Sequence, residues 1–362
     1  MFYWLYTTFG QDLSGLNVLR YISFRSIWAL ITALAFTMAL GKPFIAWLKQ
    51  QQKHGQPIRS DGPESHLLTK QSTPTMGGMM ILLSLTLSTL LWADWGNVYI
   101  LSILLVTLGY GAVGFYDDFL KLRYRNSKGL SGKKKLFWQS TLAIAGLAIL
   151  YLFTDPLTFS TLSLPFFKDV LWDLGWFFVP FAVIVLVGSS NAVNLTDGLD
   201  GLATVPIMIA VGCYGIITYL TGHAVFADYL YIKPIVGTGE LSVFCAALIG
   251  SCLGFLWFNA PPASVFMGDT GSLGLGGALG ALAVMTKQEL LLLVIGGVFV
   301  VEAASVILQV GSYKLRKKRI FKMAPLHHHF EKNGLSESTI VIRFWIVAVV
   351  LALIGLASLK VR

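Results

Sequence analysis

Five aspartates sit at the ends of apolar runs, where a carboxylate is costly unless something compensates it. Asp117 and Asp118 are adjacent in Phe115-Tyr-Asp-Asp-Phe119. Asp197 and Asp200 lie three apart in Asn191-Ala-Val-Asn-Leu-Thr-Asp-Gly-Leu-Asp-Gly201, and Asp269 lies in Phe266-Met-Gly-Asp-Thr-Gly271. Gathered in one cleft, these acids would repel one another unless a cation sat among them. Hard carboxylate oxygens suit Mg²⁺, which takes one or two carboxylates and leaves its other positions to water and substrate phosphates. Lys70, the run Lys133 to Lys135 and the histidines His327, His328 and His329 add positive charge suited to phosphate. Acids, a divalent metal and cations together are the requirements of phosphoryl transfer: charge neutralisation, alignment and an activated nucleophile. Gly77, Gly78, Gly198, Gly201, Gly268 and Gly271 flank these groups and permit close approach of backbone N–H groups to an anion. There is no Walker-A sequence, which excludes an ordinary P-loop site on pattern.

The elements that must position these residues are membrane helices. Of 362 residues, 55% are hydrophobic and only 12% charged, about half the charged fraction of a soluble protein. Mean hydropathy is +0.70. Apolar runs long enough to cross a bilayer predict ten spans, at 24–48, 76–93, 98–116, 136–154, 174–190, 199–220, 240–258, 271–287, 289–310 and 340–358. The fold expected is therefore an all-α polytopic membrane protein, one integral-membrane domain over 1–362. The 271–287 run is rich in glycine, and Gly276 and Gly280 have the small-xxx-small spacing that lets helices approach closely. The N-terminus lacks the basic region of a cleavable signal, so the first span is expected to stay. Cys213, Cys245 and Cys252 all fall in apolar stretches and read as buried thiols.

The net charge of +9 might suggest nucleic acid, but the charges occupy short loops between apolar runs, so no nucleic-acid partner is expected. Three loops, 49–75, 117–135 and 311–343, hold nineteen of the 27 basic residues. By the positive-inside rule these loops are cytoplasmic and both termini periplasmic. With the loops at 191–201 and 258–272 on the same face, five cytoplasmic loops carry the polar motifs, and the active-site cleft is expected there.

Blander readings compete with these. Asp269 opens a helix and could be an N-cap while also holding metal. Capping also explains Asp197 and Asp200, and topology control explains most of the Lys133–Lys135 run. The histidine run lacks the cysteine partners of a structural zinc site. Glu302, an acid within an apolar run, reads as packing against a bundle partner or lining the cleft. A secondary transporter is the alternative of a different class, but transporters place key charges near the midplane between repeated halves.

Four segments together, FYDDF (115–119), NAVNLTDGLDGL (191–202), FNAPPASVFMGDTGS (258–272) and MAPLHHHFE (323–331), resemble the bacterial phospho-N-acetylmuramoyl-pentapeptide-transferases. These belong to the polyprenyl-phosphate N-acetylhexosamine-1-phosphate transferases. The resemblance runs from the first cytoplasmic loop to the end of the chain. It implies a Mg²⁺-dependent enzyme of the bacterial inner membrane, with UDP-MurNAc-pentapeptide as donor, undecaprenyl phosphate as acceptor and a homodimeric state. It also implies Asp269 as the metal ligand, and Asp117, Asp118, Asp269, His327, His328 and His329 as the catalytic set. Lys70, Thr75, Lys133, Asn191, Asn194, Asp197, Asp200 and Phe266 would bind substrate, with Phe266 stacking on uracil. The same chemistry on another sugar, such as GlcNAc-1-phosphate transfer, is the nearest alternative. The histidine segment favours the muramoyl donor.

Overall fold

The structure, a computed structural model, describes residues 1–10, 13–52, 73–125, 129–165 and 171–360. Ten helices overlie the ten predicted runs. They are α1 (Ile22–Gln51), α2 (Gly78–Trp92), α3 (Val98–Tyr124), α4 (Gly132–Phe153) and α5 (Phe178–Thr196), followed by α6 (Thr204–Thr221), α7 (Leu241–Asn259), α8 (Gly268–Met285), α9 (Gly297–Arg316) and α10 (Glu337–Ser358). Eight helices among the described residues are long and apolar enough to cross a membrane, and this is an integral membrane protein. The expected count of ten exceeds those eight, because α2 is only 15 residues long and α8 is diluted by glycine.

The dilution has a physical reason. Every residue of α8 from Thr270 to Met285 is buried. A helix enclosed by other helices meets no lipid and needs small residues more than apolar ones. α8 packs most extensively on α3 and α5. A Cβ on Gly276 would lie 2.7 Å from Ser190 Cα, and one on Gly280 would lie 3.0 Å from Leu186 Cα, so the predicted small-residue pair seats α8 against α5. On its other side α8 meets α2, where a Cβ on Gly78 would lie 2.2 Å from Gly271 Cα.

Other boundaries moved for identifiable reasons. The 98–116 run continues as α3 to Tyr124, so Asp117, Asp118 and Lys121 lie on a helix and not in a loop. Lysine pairing with acids three and four residues earlier lets the helix outlast its apolar run. The 289–310 run divides at Gly296 into a short helix, Leu292–Ile295, and α9. A helix at Phe2–Phe9 precedes the first predicted span. The all-α expectation also needs one amendment: Thr161–Ser163 pairs antiparallel with Leu171–Asp173 in a two-stranded sheet.

The ten helices alternate in direction. The starts of α2 and α8 meet at Gly78 and Gly271, while Gly114, late in α3, faces the backbone of Asp269 at the start of α8. One end of the bundle thus collects the ends of α3 and α5 and the starts of α4 and α8. The other end is closed by Arg25, whose guanidinium pairs with Glu240 and donates to the Trp92 carbonyl at 3.1 Å. Met1 and Lys360 lie at this second end, bonded to the carbonyls of Leu90 and Tyr229.

Candidate active site

The acids that sequence separates by up to half the chain converge at the first end. Asp117 and Asp118 come from α3 and Asp269 from the first turn of α8, and one oxygen of each lies within 4.8 Å of the others. Two lysines hold them. Lys121 Nζ lies 2.6 Å from Asp117 Oδ2, 3.6 Å from Asp118 Oδ1 and 3.1 Å from Asp269 Oδ2. Lys135, in the first turn of α4, reaches Asp269 Oδ2 at 2.7 Å and Asp117 Oδ2 at 3.6 Å.

Backbone geometry fixes the two adjacent acids in different surroundings. Asp117 Oδ1 accepts the Leu130 N–H at 2.7 Å, which draws the α3–α4 connection over it. Gly129 makes that approach possible: its φ is +52°, and a Cβ there would lie 2.7 Å from Asp117 Oδ1. Asp118 Oδ2 accepts both the N–H and the hydroxyl of Thr270, at 3.0 and 2.9 Å. Asp118 therefore caps the start of α8 from outside, which sets the position of Asp269. Asp117 and Asp118 are buried, whereas the Asp269 side chain keeps 16% exposure. Asp269 is the most accessible of the three acids.

This donor set fits a hard cation. With all three carboxylates ionised, two ammonium groups leave the cluster net negative, and oxygen donors from three acids match what Mg²⁺ or Mn²⁺ accepts. A buried aspartate cluster of this kind can hold a metal ion.

Asn194 joins the cluster from the end of α5, donating to Asp269 Oδ1 at 2.9 Å and Ser272 Oγ at 2.8 Å. Asn191, one turn earlier, does not reach it. Its amide bonds Gln139 Oε1 and the Val187 carbonyl, tying α5 to α4. Asp197 follows α5 directly. Burial, and then the charges of Asp269, Asp118 and Asp200, push its carboxyl up to about 7, against the Gly268 N–H that favours ionisation. Asp200 Oδ2 accepts the Ala263 N–H at 2.9 Å and so holds the α7–α8 loop, which carries Phe266. Phe266 is paired through its backbone with Pro74 and Gly77. Thr75 is buried, clasped by Gln52 through its backbone N–H and carbonyl. Its hydroxyl and Asp118 Oδ2 would each lie 2.7 Å from a Cβ on Gly268, which puts the Thr75 hydroxyl beside the acids. Lys70 lies outside the described residues.

The lysines of the run take different places. Lys133 is exposed, and Lys135, two residues on, is the member of the run that enters the cluster. α4 begins at Gly132, and helical rotation turns Lys135 and not Lys133 toward α8. Lys121 was missed altogether, although its spacing of three and four residues from the paired aspartates was a readable signal.

The histidines divide. Only His327 is buried, on a short helix, Leu326–Glu331, and it meets Glu302 of α9. His328 pairs with Glu331 at 3.0 Å, and His329 accepts the Lys322 N–H at 3.1 Å. The ring of His327 packs against Gly198, next to Asp197.

A helical membrane bundle whose end gathers three acids, two lysines and an asparagine from distant segments defines a membrane-embedded enzyme built for phosphate chemistry. Residues 100–287, from α3 to the end of α8, match the family described as Glycosyl transferase family 4. The chain is 57% identical over its whole length to a phospho-N-acetylmuramoyl-pentapeptide-transferase of Rhodopseudomonas palustris. It is 59% identical, over 96% of both chains, to a protein of that name from Granulibacter bethesdensis, and 57% identical over the full length of both to one from Dinoroseobacter shibae. The chain belongs to the phospho-N-acetylmuramoyl-pentapeptide-transferase family.

Proposed function

We propose that this protein transfers phospho-N-acetylmuramoyl-pentapeptide from its UDP-linked donor to undecaprenyl phosphate, forming lipid I and UMP for peptidoglycan synthesis. The observation that carries the reading is the convergence of Asp117, Asp118 and Asp269 with Lys121 and Lys135. Full-length identity to transferases of that name supports the choice of substrates. The basic loops support a cytoplasmic active end in the bacterial inner membrane, with both termini periplasmic. The enzyme works as a homodimer of single-domain chains, as the resemblance implies.

In this reading an oxygen of the lipid phosphate forms a bond to the donor's sugar-bearing phosphorus as the bond to UMP breaks. One diphosphate linkage replaces another, so no external energy source is required. One of the paired acids serves as base or nucleophile: Asp117 is held by the Leu130 N–H and Lys121, and Asp118 by Thr270. Lys121 and Lys135 spread positive charge along the transferring group and hold the acids ionised. Mg²⁺, with Asp269 as its ligand, would neutralise the diphosphate when bound. Asn194 orients the Asp269 carboxylate. As the resemblance implies, Lys70, Asn194, Asp197, Asp200 and Phe266 bind the uridine part of the donor, and the run His327, His328 and His329 lies beside its sugar–phosphate.

The test is UMP release by the detergent-purified chain given undecaprenyl phosphate and UDP-MurNAc-pentapeptide. Release that requires Mg²⁺, stops with EDTA and is lost in Asp269→Ala supports the proposal. Turnover of UDP-GlcNAc in place of the muramoyl donor would keep the chemistry and overturn the substrate.

A further inference from the structure

Glu302 lies within α9 with no solvent exposure, an expensive place for an acid. Both of its oxygens are used by one residue. Oε1 accepts the His327 backbone N–H at 3.1 Å, and Oε2 lies 2.9 Å from His327 Nδ1. A carboxylate is acceptor-only, so Nδ1 carries the proton and donates it. His327 Nε2 is buried and has no hydrogen-bond partner among the described residues. It sits against the Asp197–Gly198 turn: a Cβ on Gly198 would lie 2.3 Å from it. That turn leads through the Gly268 N–H bonded by Asp197 to Asp269 itself.

We infer that Glu302 is the positioning residue for His327, locking the imidazole with Nδ1 inward so that Nε2 is presented beside the Asp197–Gly198 turn to the substrate's phosphate region. This deepens the transferase reading and rests on it. The inward carboxylate does for His327 what a carboxylate partner does for histidines that work as ligands or bases: it fixes tautomer and ring orientation together. Clamping the backbone N–H as well pins the start of the Leu326–Glu331 helix, so ring and helix cannot move independently. His328 has its carboxylate partner on its own short helix, Glu331 at 3.0 Å, and His329 accepts the Lys322 N–H; among the described residues His327 is the one of the three whose ring and backbone are both held from α9.

The test compares wild type with Glu302→Gln, Glu302→Asp, His327→Ala and the Glu302→Gln/His327→Ala double variant in the same detergent. A glutamine of the same shape can accept one N–H but must donate through its other end, which drives the ring proton from Nδ1 to Nε2. We expect kcat to fall about 10–100-fold in Glu302→Gln with the donor KM within about twofold, the scale on which losing a histidine's carboxylate partner acts elsewhere. Glu302→Asp should recover part of the loss, and the double variant should be no worse than His327→Ala alone. Nitrogen-15 NMR of labelled histidine reads the tautomer directly, with wild type protonated at Nδ1 and Glu302→Gln shifted to Nε2. An unchanged His327 tautomer in folded Glu302→Gln, or multiplicative losses in the double variant, overturns the inference. Should wild type release no UMP from the muramoyl donor, the transferase reading fails, while the tautomer measurement still decides the role of Glu302.

Discussion

Lys121 Nζ on α3 stands 3.1 Å from Asp269 Oδ2 on α8, and 2.6 Å from Asp117 Oδ2 one turn back on its own helix. One ammonium therefore joins two helices through their acids, in the place where a divalent cation would be attracted. Replacing it should separate two effects. Lys121→Met is expected to lower turnover about 100-fold, the scale for loss of one preorganised charge at a transition state. The same variant should bind Mg²⁺ about tenfold more tightly, roughly 1.4 kcal/mol, because a competing positive charge has gone. Calorimetric Mg²⁺ titration checks this, and unchanged affinity would show that lysine and metal do not share the acids.

Among the described residues, Asp118 Oδ2 is held by Thr270, through two bonds of 3.0 and 2.9 Å. Thr270→Val removes the hydroxyl donor to a buried carboxylate, a loss of about 1.5–3 kcal/mol. We expect a lower unfolding midpoint in detergent together with reduced turnover, since the start of α8 carries Asp269. Thr270→Ser keeps the hydroxyl and should stay near wild type in both measurements.

The α2–α8 contact is backbone on backbone at Gly78 and Gly271. A methyl group at Gly78 would meet Gly271 Cα at 2.2 Å with no flexible side chain to yield. Gly78→Ala should cost about 1–3 kcal/mol, read as a fall in the thermal midpoint. Gly311, on α9, has nothing within 4 Å of the same methyl position. Gly311→Ala should be neutral or stabilising by up to about 1 kcal/mol through helix propensity.

At the opposite end, Glu289 is buried with neither carboxylate oxygen hydrogen-bonded to another described side chain or backbone. Burial pushes its carboxyl up to about 7 from an ordinary 4.5, opposed by nearby Lys287. Between those values the folded state binds more protons than the unfolded one, so this group makes stability fall as pH rises from about 4.5 to about 7. Glu289→Gln should thus melt higher than wild type at pH 8 and match it at pH 4. Scanning fluorimetry at the two pH values checks this, and equal midpoints at pH 8 would remove Glu289 as the source.

The legible part of the site consisted of groups whose type is conspicuous against an apolar background. Asp117, Asp118 and Asp269 were readable because carboxylates at helix ends in membrane runs need a reason, and Asn194 because it shared a segment with Asp197 and Asp200. The lysines were harder to read. Lys133, Lys134 and Lys135 are equivalent as a sequence, and only the start of α4 at Gly132 decides that Lys135 turns inward. Asn191 and Asn194 lie one turn apart in one motif, yet the first serves the α4–α5 seam and the second the acid cluster.

The sequence by itself determined the membrane class, the ten apolar runs and the segments that carry the acids, because helices in lipid satisfy their own backbone and are written locally as runs of apolar residues. Only the tertiary structure decided that α8 is the enclosed helix, that Lys121 bridges α3 and α8, and that Glu302 holds His327. Those are contacts between residues far apart in the chain, set by which helix faces meet, and a helix's own sequence does not specify its neighbour. Glycine shows the difference: Gly78 and Gly311 are the same residue in the same secondary structure, and the backbone of α8 crowds one of them and not the other.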